Sequence, residues 1–141
     1  MLPTLVDGDV CVVIKPNNIK RFDIVTIAYE DHFIVKRVIG LPGETITLHD
    51  NVITVNGDKL NQNFTYYKVY MDDFTIDIPE DNYFVLGDNR GLSLDSRVAG
   101  TFEREAIIYR VLVWTHAPKL VYDLLIALIG IITLTVTMYR R

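Results

Sequence analysis

Two stretches of this chain hold side chains that could do chemistry together. In the first, Phe33-Ile34-Val35-Lys36-Arg37-Val38-Ile39, two adjacent cations interrupt a run of branched and aromatic residues, and Gly40-Leu41-Pro42-Gly43 ends the run in a turn. Counting by twos puts Lys36 on one strand face with Ile34 and Val38, and Arg37 on the other with Phe33, Val35 and Ile39. Both faces are apolar. A lysine held among such neighbours loses solvation of its ammonium form, its pKa falls, and the neutral amine can act as a general base near neutral pH. The same residues also fit an edge strand whose cations reach water or pair with carboxylates. Periodicity leaves both readings open, and it does not say which of the two cations is buried.

The second stretch is Gly87-Asp88-Asn89-Arg90-Gly91-Leu92-Ser93-Leu94-Asp95-Ser96-Arg97. Two aspartates, two arginines, two serines and an asparagine make it too polar for a core. Alternating charge at this density lets a loop fold on its own ion pairs and side-chain-to-backbone bonds.

Other chemistries find little support. His32, His49 and His116 are scattered without metal-ligand spacing, and Cys11 is the single cysteine, so neither a metal site nor an internal disulfide is expected. A net charge of -4 and a pI near 5.2 argue against a nucleic-acid surface.

The elements that must position the two stretches are short strands and tight turns. Strands are expected at Val10 to Ile14, Phe22 to Tyr29, Phe33 to Ile39, Thr45 to Leu48, Val52 to Val55, Lys59-Leu60, Tyr83 to Leu86 and Ile107 to Trp114. His49-Asp50-Asn51 and Asn56-Gly57 are expected to reverse the chain. Residues 61 to 78 show no clean period and read as an irregular excursion or a loosely paired hairpin, and Phe102 to Glu105 as a helical turn. The fold class is all-β, a small and mostly antiparallel domain over residues 1-118.

The C-terminus is different. Leu120 to Met138 carries Asp123 as its one charged residue, and nineteen helical residues span roughly 28 Å, close to a bilayer's hydrocarbon core. A transmembrane helix over 119-141 is expected, with a buried core helix as the competing reading. Tyr122 and Tyr139 sit where interfacial aromatics belong, and Arg140 and Arg141 directly after the helix lead us to expect the C-terminus in the cytoplasm and residues 1 to 118 outside it. The first residues lack the basic segment and apolar run of a signal peptide.

Taken together, these stretches resemble bacterial type I signal peptidases, membrane-bound serine endopeptidases that remove signal peptides from exported preproteins. Four blocks occur in the family's order. Met1-Leu2-Pro3-Thr4-Leu5 is similar to the segment directly after the nucleophilic serine, Arg21-Phe22-Asp23-Ile24-Val25 to the RGDIV strand, Val35 to Gly43 to the lysine block, and Gly87 to Arg97 to the GDNRxxSxDSR block. The resemblance implies a Ser-Lys dyad with Lys36 as general base, Ser93 bonded to the lysine amine, and Asp88, Asp95, Arg37 and Arg97 in supporting ion pairs. It implies no cofactor and no metal. The implied partners are preprotein signal peptides, cut after Ala-x-Ala-like sites, and membrane lipid.

One departure matters. The family's nucleophile immediately precedes the residue that here is Met1, and Ser93 and Ser96 are the chain's two serines, both already matched within the polar block. Thr4 lies four residues beyond the position where a base within about 3 Å would need it. The family's oxyanion-hole hydroxyl also lies upstream. The 141-residue chain is therefore expected to be inactive as it stands, either as a signal peptidase whose N-terminal part is missing or as a nucleophile-less relative that binds exported segments or a partner without cutting.

Overall fold

A computed structural model describes residues 1–65 and 72–115. Among the described residues, ten strands form two sheets. β1 (Val10–Ile14), β2 (Ile24–Tyr29), β3 (His32–Gly40), β8 (Asn82–Leu86), β9 (Phe102–Glu103) and β10 (Ile107–Thr115) make a six-stranded sheet in the order β1-β10-β2-β3-β8-β9. β4 (Thr45–His49), β5 (Val52–Val55), β6 (Asp58–Lys59) and β7 (Phe74–Asp77) make a four-stranded sheet in the order β6-β5-β4-β7. Every pairing is antiparallel. A four-residue helix, α1 (Ser96–Ala99), and 3-10 turns at Arg90–Leu92 and Arg104–Ala106 are the helical elements among the described residues. The all-β expectation holds there.

Alternation along β3 decides the layering. Val38 and its cross-strand partner Val85 sink into one core with Val25, Ile27, Tyr83, Phe102 and Ile107. Ile39 enters the other core, between the two sheets, with Phe84 and Leu86 from β8 and Ile46, Leu48, Ile53 and Val55 from the small sheet. A strand buried on both sides needs apolar residues at consecutive positions, which Val38-Ile39 supplies. Gly40 packs closely on that second core: a Cβ there would lie 2.2 Å from Ile78 Cδ1 and 2.9 Å from Ile46 Cδ1.

Both expected hairpins form. Asp50 and Asn51 have φ of 49° and 62°, and Asn56 and Gly57 have 52° and 89°, the left-handed pairs that tight antiparallel turns require. Three expectations change. Phe22 does not open β2, because its φ of 73° turns the chain and directs its N–H to the Val38 carbonyl at 2.8 Å. Within 61–78, Phe74–Asp77 is a regular strand paired with β4 from Thr45↔Asp77 to Leu48↔Phe74; its partner lies about thirty residues back, which local periodicity does not reveal. Phe102–Glu103 is a strand as well, since Phe102 pairs with Tyr83 and is buried, and the helical turn starts only at Arg104.

No helix among the described residues is long and apolar enough to cross a membrane. The expected membrane helix at 119-141 lies outside those residues, as does the boundary near residue 118.

Candidate active site

The site forms where β3 and β8 run side by side and the chain leaves β8 into the polar loop. Arg37 stands opposite Leu86, so Asp88, two residues on, emerges on the same face. The guanidinium meets that carboxylate with two parallel bonds, Nε to Oδ1 at 2.9 Å and Nη2 to Oδ2 at 2.7 Å. Nη1 donates to the Phe22 carbonyl at 3.0 Å, and Cζ lies 4.2 Å from the centre of the Phe64 ring. Asp88 is wholly buried and Arg37 is 8% exposed. Thr4 completes the cluster: its hydroxyl donates to Asp88 Oδ2 and stands 3.5 Å from Arg37 Nη2. Of the two adjacent cations, the arginine is the buried one.

A second ion pair closes the loop. Asp95 caps α1 by accepting the Arg97 backbone N–H, and its carboxylate takes Arg97 Nε at 2.7 Å, Arg97 Nη2 at 2.8 Å and the Gly87 N–H at 3.0 Å. Burial pushes the Asp95 carboxyl up, but Arg97, the Gly87 N–H and the nearby Ser93 hydroxyl outweigh it and hold the group below its ordinary range. The Ser96 hydroxyl accepts the Val85 N–H at 2.9 Å, tying α1 back to β8.

Lys36 occupies the other face of β3, with Ile34 and Val38 on either side. It is half-buried and makes no side-chain hydrogen bond or ion pair among the described residues. Burial lowers its pKa below the ordinary 10.5; Asp95 works against this and Arg97 adds to it. The lysine thus senses the Asp95–Arg97 pair as charges at a distance, and the carboxylate is already engaged by Arg97 and the Gly87 N–H. Met1 is drawn in too. Its α-amino group is shifted down by burial and then by Lys36, with Asp88 opposing, so the N-terminal segment begins within electrostatic reach of the lysine.

Ser93 differs from its expected place. Its hydroxyl is buried with no hydrogen-bond partner, Lys36 included. The loop packs it against the backbone of Gly87, where a Cβ would lie 2.2 Å from Ser93 Oγ. It lies near enough to Asp95 to favour the ionised carboxylate without an aligned bond.

Four residues join the site that sequence reasoning left without a role. Gly87 makes room for Ser93, Ser96 ties α1 to β8, and Thr4 reaches Asp88. Arg90 is buried and donates from Nε to the Gly87 carbonyl at 3.0 Å and from Nη2 to Gln62. Burial, seconded by Arg97, brings Arg90 down to about 10, so it stays charged at neutral pH. The eleven-residue polar stretch was the available signal for Gly87, Arg90 and Ser96; nothing local marks the contact that Thr4 makes.

Beside the loop, a cavity of about 660 Å³ is lined by Phe74, Ile76, Phe84, Arg90, Ser93 and Arg97 among others, and Lys36 does not line it. Glu30, Asp31 and His32 bring their ligand atoms within 4.8 Å of one another in the exposed β2–β3 turn. That turn stands four residues along β3 from Lys36, about 13 Å at strand spacing, and takes no part in the site.

The fold is an antiparallel β domain that sets a half-buried lysine near buried carboxylate–guanidinium pairs, and comparison with known proteins gives it a family. The chain belongs to the signal peptidase family, peptidase S26, whose model matches residues 1–115. It is 34% identical over 149 residues to signal peptidase I of Streptococcus pneumoniae serotype 4, covering 76% of this chain and 73% of that protein. It is 36% identical over 127 residues to signal peptidase I V of Bacillus subtilis strain 168, covering 77% and 76%. Among solved structures, a signal peptidase I from Enterococcus faecalis V583 superposes with a TM-score of 0.61 at 33% identity, over 69% of this chain and 98% of that one.

Proposed function

We propose that this domain cleaves signal peptides from exported preproteins by a Ser-Lys mechanism, with Lys36 as the general base. The observation that carries the reading is the state of Lys36: half-buried, depressed in pKa and free of a direct carboxylate, next to a carboxylate–guanidinium pair that is fully engaged elsewhere. A neutral amine is what the reaction needs. It takes the proton of a serine hydroxyl as the oxygen attacks the scissile carbonyl, gives that proton to the departing amine, and then takes one from the water that releases the acyl group. In the family pattern the serine comes immediately before Met1, and the α-amino group of Met1 is the point from which that residue would extend, within reach of Lys36. Asp95 and Arg97 fix the loop against which the lysine lies. Arg37 and Asp88 hold the strand and the N-terminal segment together. In this reading Ser93 turns its buried hydroxyl toward the amine once a proton has to be steered. Substrates end in Ala-x-Ala-like sequences, and the segment 119-141 holds the domain at a bilayer with residues 1-118 outside the cytoplasm.

The test is restoration. The chain extended by serine before Met1 and by an upstream anchor should cut an Ala-x-Ala preprotein, while the 141-residue polypeptide, serving as the control without that hydroxyl, should not. Failure of the extended chain to cut, with the fold intact, would instead favour a binding protein that engages exported segments without cleaving them.

A further inference from the structure

Residues 1–5 form no strand, yet the proposed mechanism requires the residue at their leading end to be held within about an ångström of its place beside Lys36. Leu5 N–H bonds the Met1 carbonyl at 3.2 Å and Val6 N–H bonds Asp9, contacts that shape the segment without attaching it to the sheet. Leu2 and Pro3 are exposed. Among the described residues, the hydrogen bonds that join this segment to β3 and the β8 loop all go through one hydroxyl, that of Thr4.

We propose that Thr4 is a positioning residue: its hydroxyl, held between Asp88 and Arg37, clasps the segment beginning at Met1 onto the lysine strand. This rests on the mechanism proposed above. A hydroxyl suits the place because it both donates and accepts. It donates to Asp88 Oδ2, across 84 residues of sequence, and faces Arg37 Nη2 with its lone pairs. Asp88 is wholly buried, so a bond to it is made in a dry setting where it is strong and where its loss leaves a charged oxygen short of a partner. The β-branch restricts the side chain's rotamers, so anchoring the hydroxyl also orients the backbone carrying it. Thr4 thus serves the site by placing the segment, with its own oxygen committed to Asp88. The Arg37–Asp88 pair in turn gains a use beyond stability, as the socket for the clasp.

The experiment compares Thr4→Val, which keeps the shape and removes the hydroxyl, with Thr4→Ser, which keeps the hydroxyl. In the 141-residue chain, amide exchange at Leu5 should accelerate on the order of tenfold to a hundredfold in Thr4→Val, the range set by losing one bond to a buried charged group. Thr4→Ser should stay near wild type, and the β2 and β3 amides should remain protected in both. In the serine-extended chain, Thr4→Val should lower kcat by roughly the same factor while KM moves less than about twofold, and Thr4→Ser should recover most of the loss. The proposal is overturned if Thr4→Val leaves exchange and kcat unchanged, if Thr4→Ser fails as badly as valine, or if the loss of kcat only tracks the unfolded fraction. Thr4→Ala supplies the same readings should valine prevent folding. An inactive serine-extended wild type would count against the mechanism alone, since the exchange comparison still decides the clasp.

Discussion

The two faces of β3 give adjacent cations opposite fates. On one, Arg37 is 8% exposed and meets Asp88 in a parallel two-bond pair, with Phe22, Phe64 and Thr4 around it. On the other, Lys36 is half-buried among apolar neighbours, and the carboxylate that acts on it, Asp95, is already bound by Arg97 and the Gly87 N–H. Burial with a partner preserves charge; burial without one weakens it. A planar guanidinium suits the first task because it cannot be deprotonated and its fork matches a carboxylate, whereas a lysine suits the second because it can let its proton go. One strand therefore carries a paired cation and, in the proposed mechanism, a chemical one side by side, and the sheet's alternation keeps them from sharing surroundings.

The comparison breaks most visibly at Lys36. In the serine-extended chain, Lys36→Met should abolish cleavage by about 10³-fold or more, the usual cost of losing the base of a nucleophile–base pair. Denaturation by urea should find the variant at least as stable as wild type, because the half-buried ammonium had no direct partner to lose. The pH profile sharpens the point. Because the folded pKa of Lys36 lies below 10.5, kcat/KM should rise with pH and level off below the pH at which a free lysine titrates. The linkage has the same sign. Between the lowered folded pKa and 10.5 the unfolded chain binds more protons, so the penalty that Lys36 places on folding fades as pH rises through that window. A limb that tracks an ordinary lysine would remove the argument from burial.

Asp88→Ala should do the reverse, costing stability before chemistry. It strands a buried guanidinium, and urea unfolding should show a loss of about 3–5 kcal/mol. Lysine at position 37 should recover little of the function of arginine, since it cannot form the two parallel bonds.

Gly87→Ala should have the smallest effect of these and tests the link between the faces. A Cβ at 2.2 Å from Ser93 Oγ forces the loop off β8, and overpacking of this kind costs about 1–3 kcal/mol. Chemical denaturation measures that cost. The Asp95–Arg97 pair should loosen with it, since Asp95 accepts the Gly87 N–H.

Local patterns were enough for most of the scaffold. The φ-positive pairs at Asp50-Asn51 and Asn56-Gly57 followed from residue type, and the parity of Lys36 and Arg37 followed from strand alternation. The polar loop announced its own closure through Asp95 and Arg97, two residues apart. β7 escaped because Phe74–Asp77 acquires its identity from β4, and β9 because Phe102 acquires it from Tyr83. Such pairings depend on loop closures that leave no trace in neighbouring residues.

The order of the amino acids by itself determined the strand-and-turn framework, the family pattern and the presence of two cations on opposite faces, because alternation and turn preference are properties of adjacent residues. Tertiary structure alone decided which cation is buried, that Asp88 rather than Asp95 is its partner, that Ser93 lies against Gly87, and that Thr4 reaches across 84 residues to the same carboxylate. Each of those depends on the distance between segments far apart in the chain, and that distance is set only when both cores close around β3.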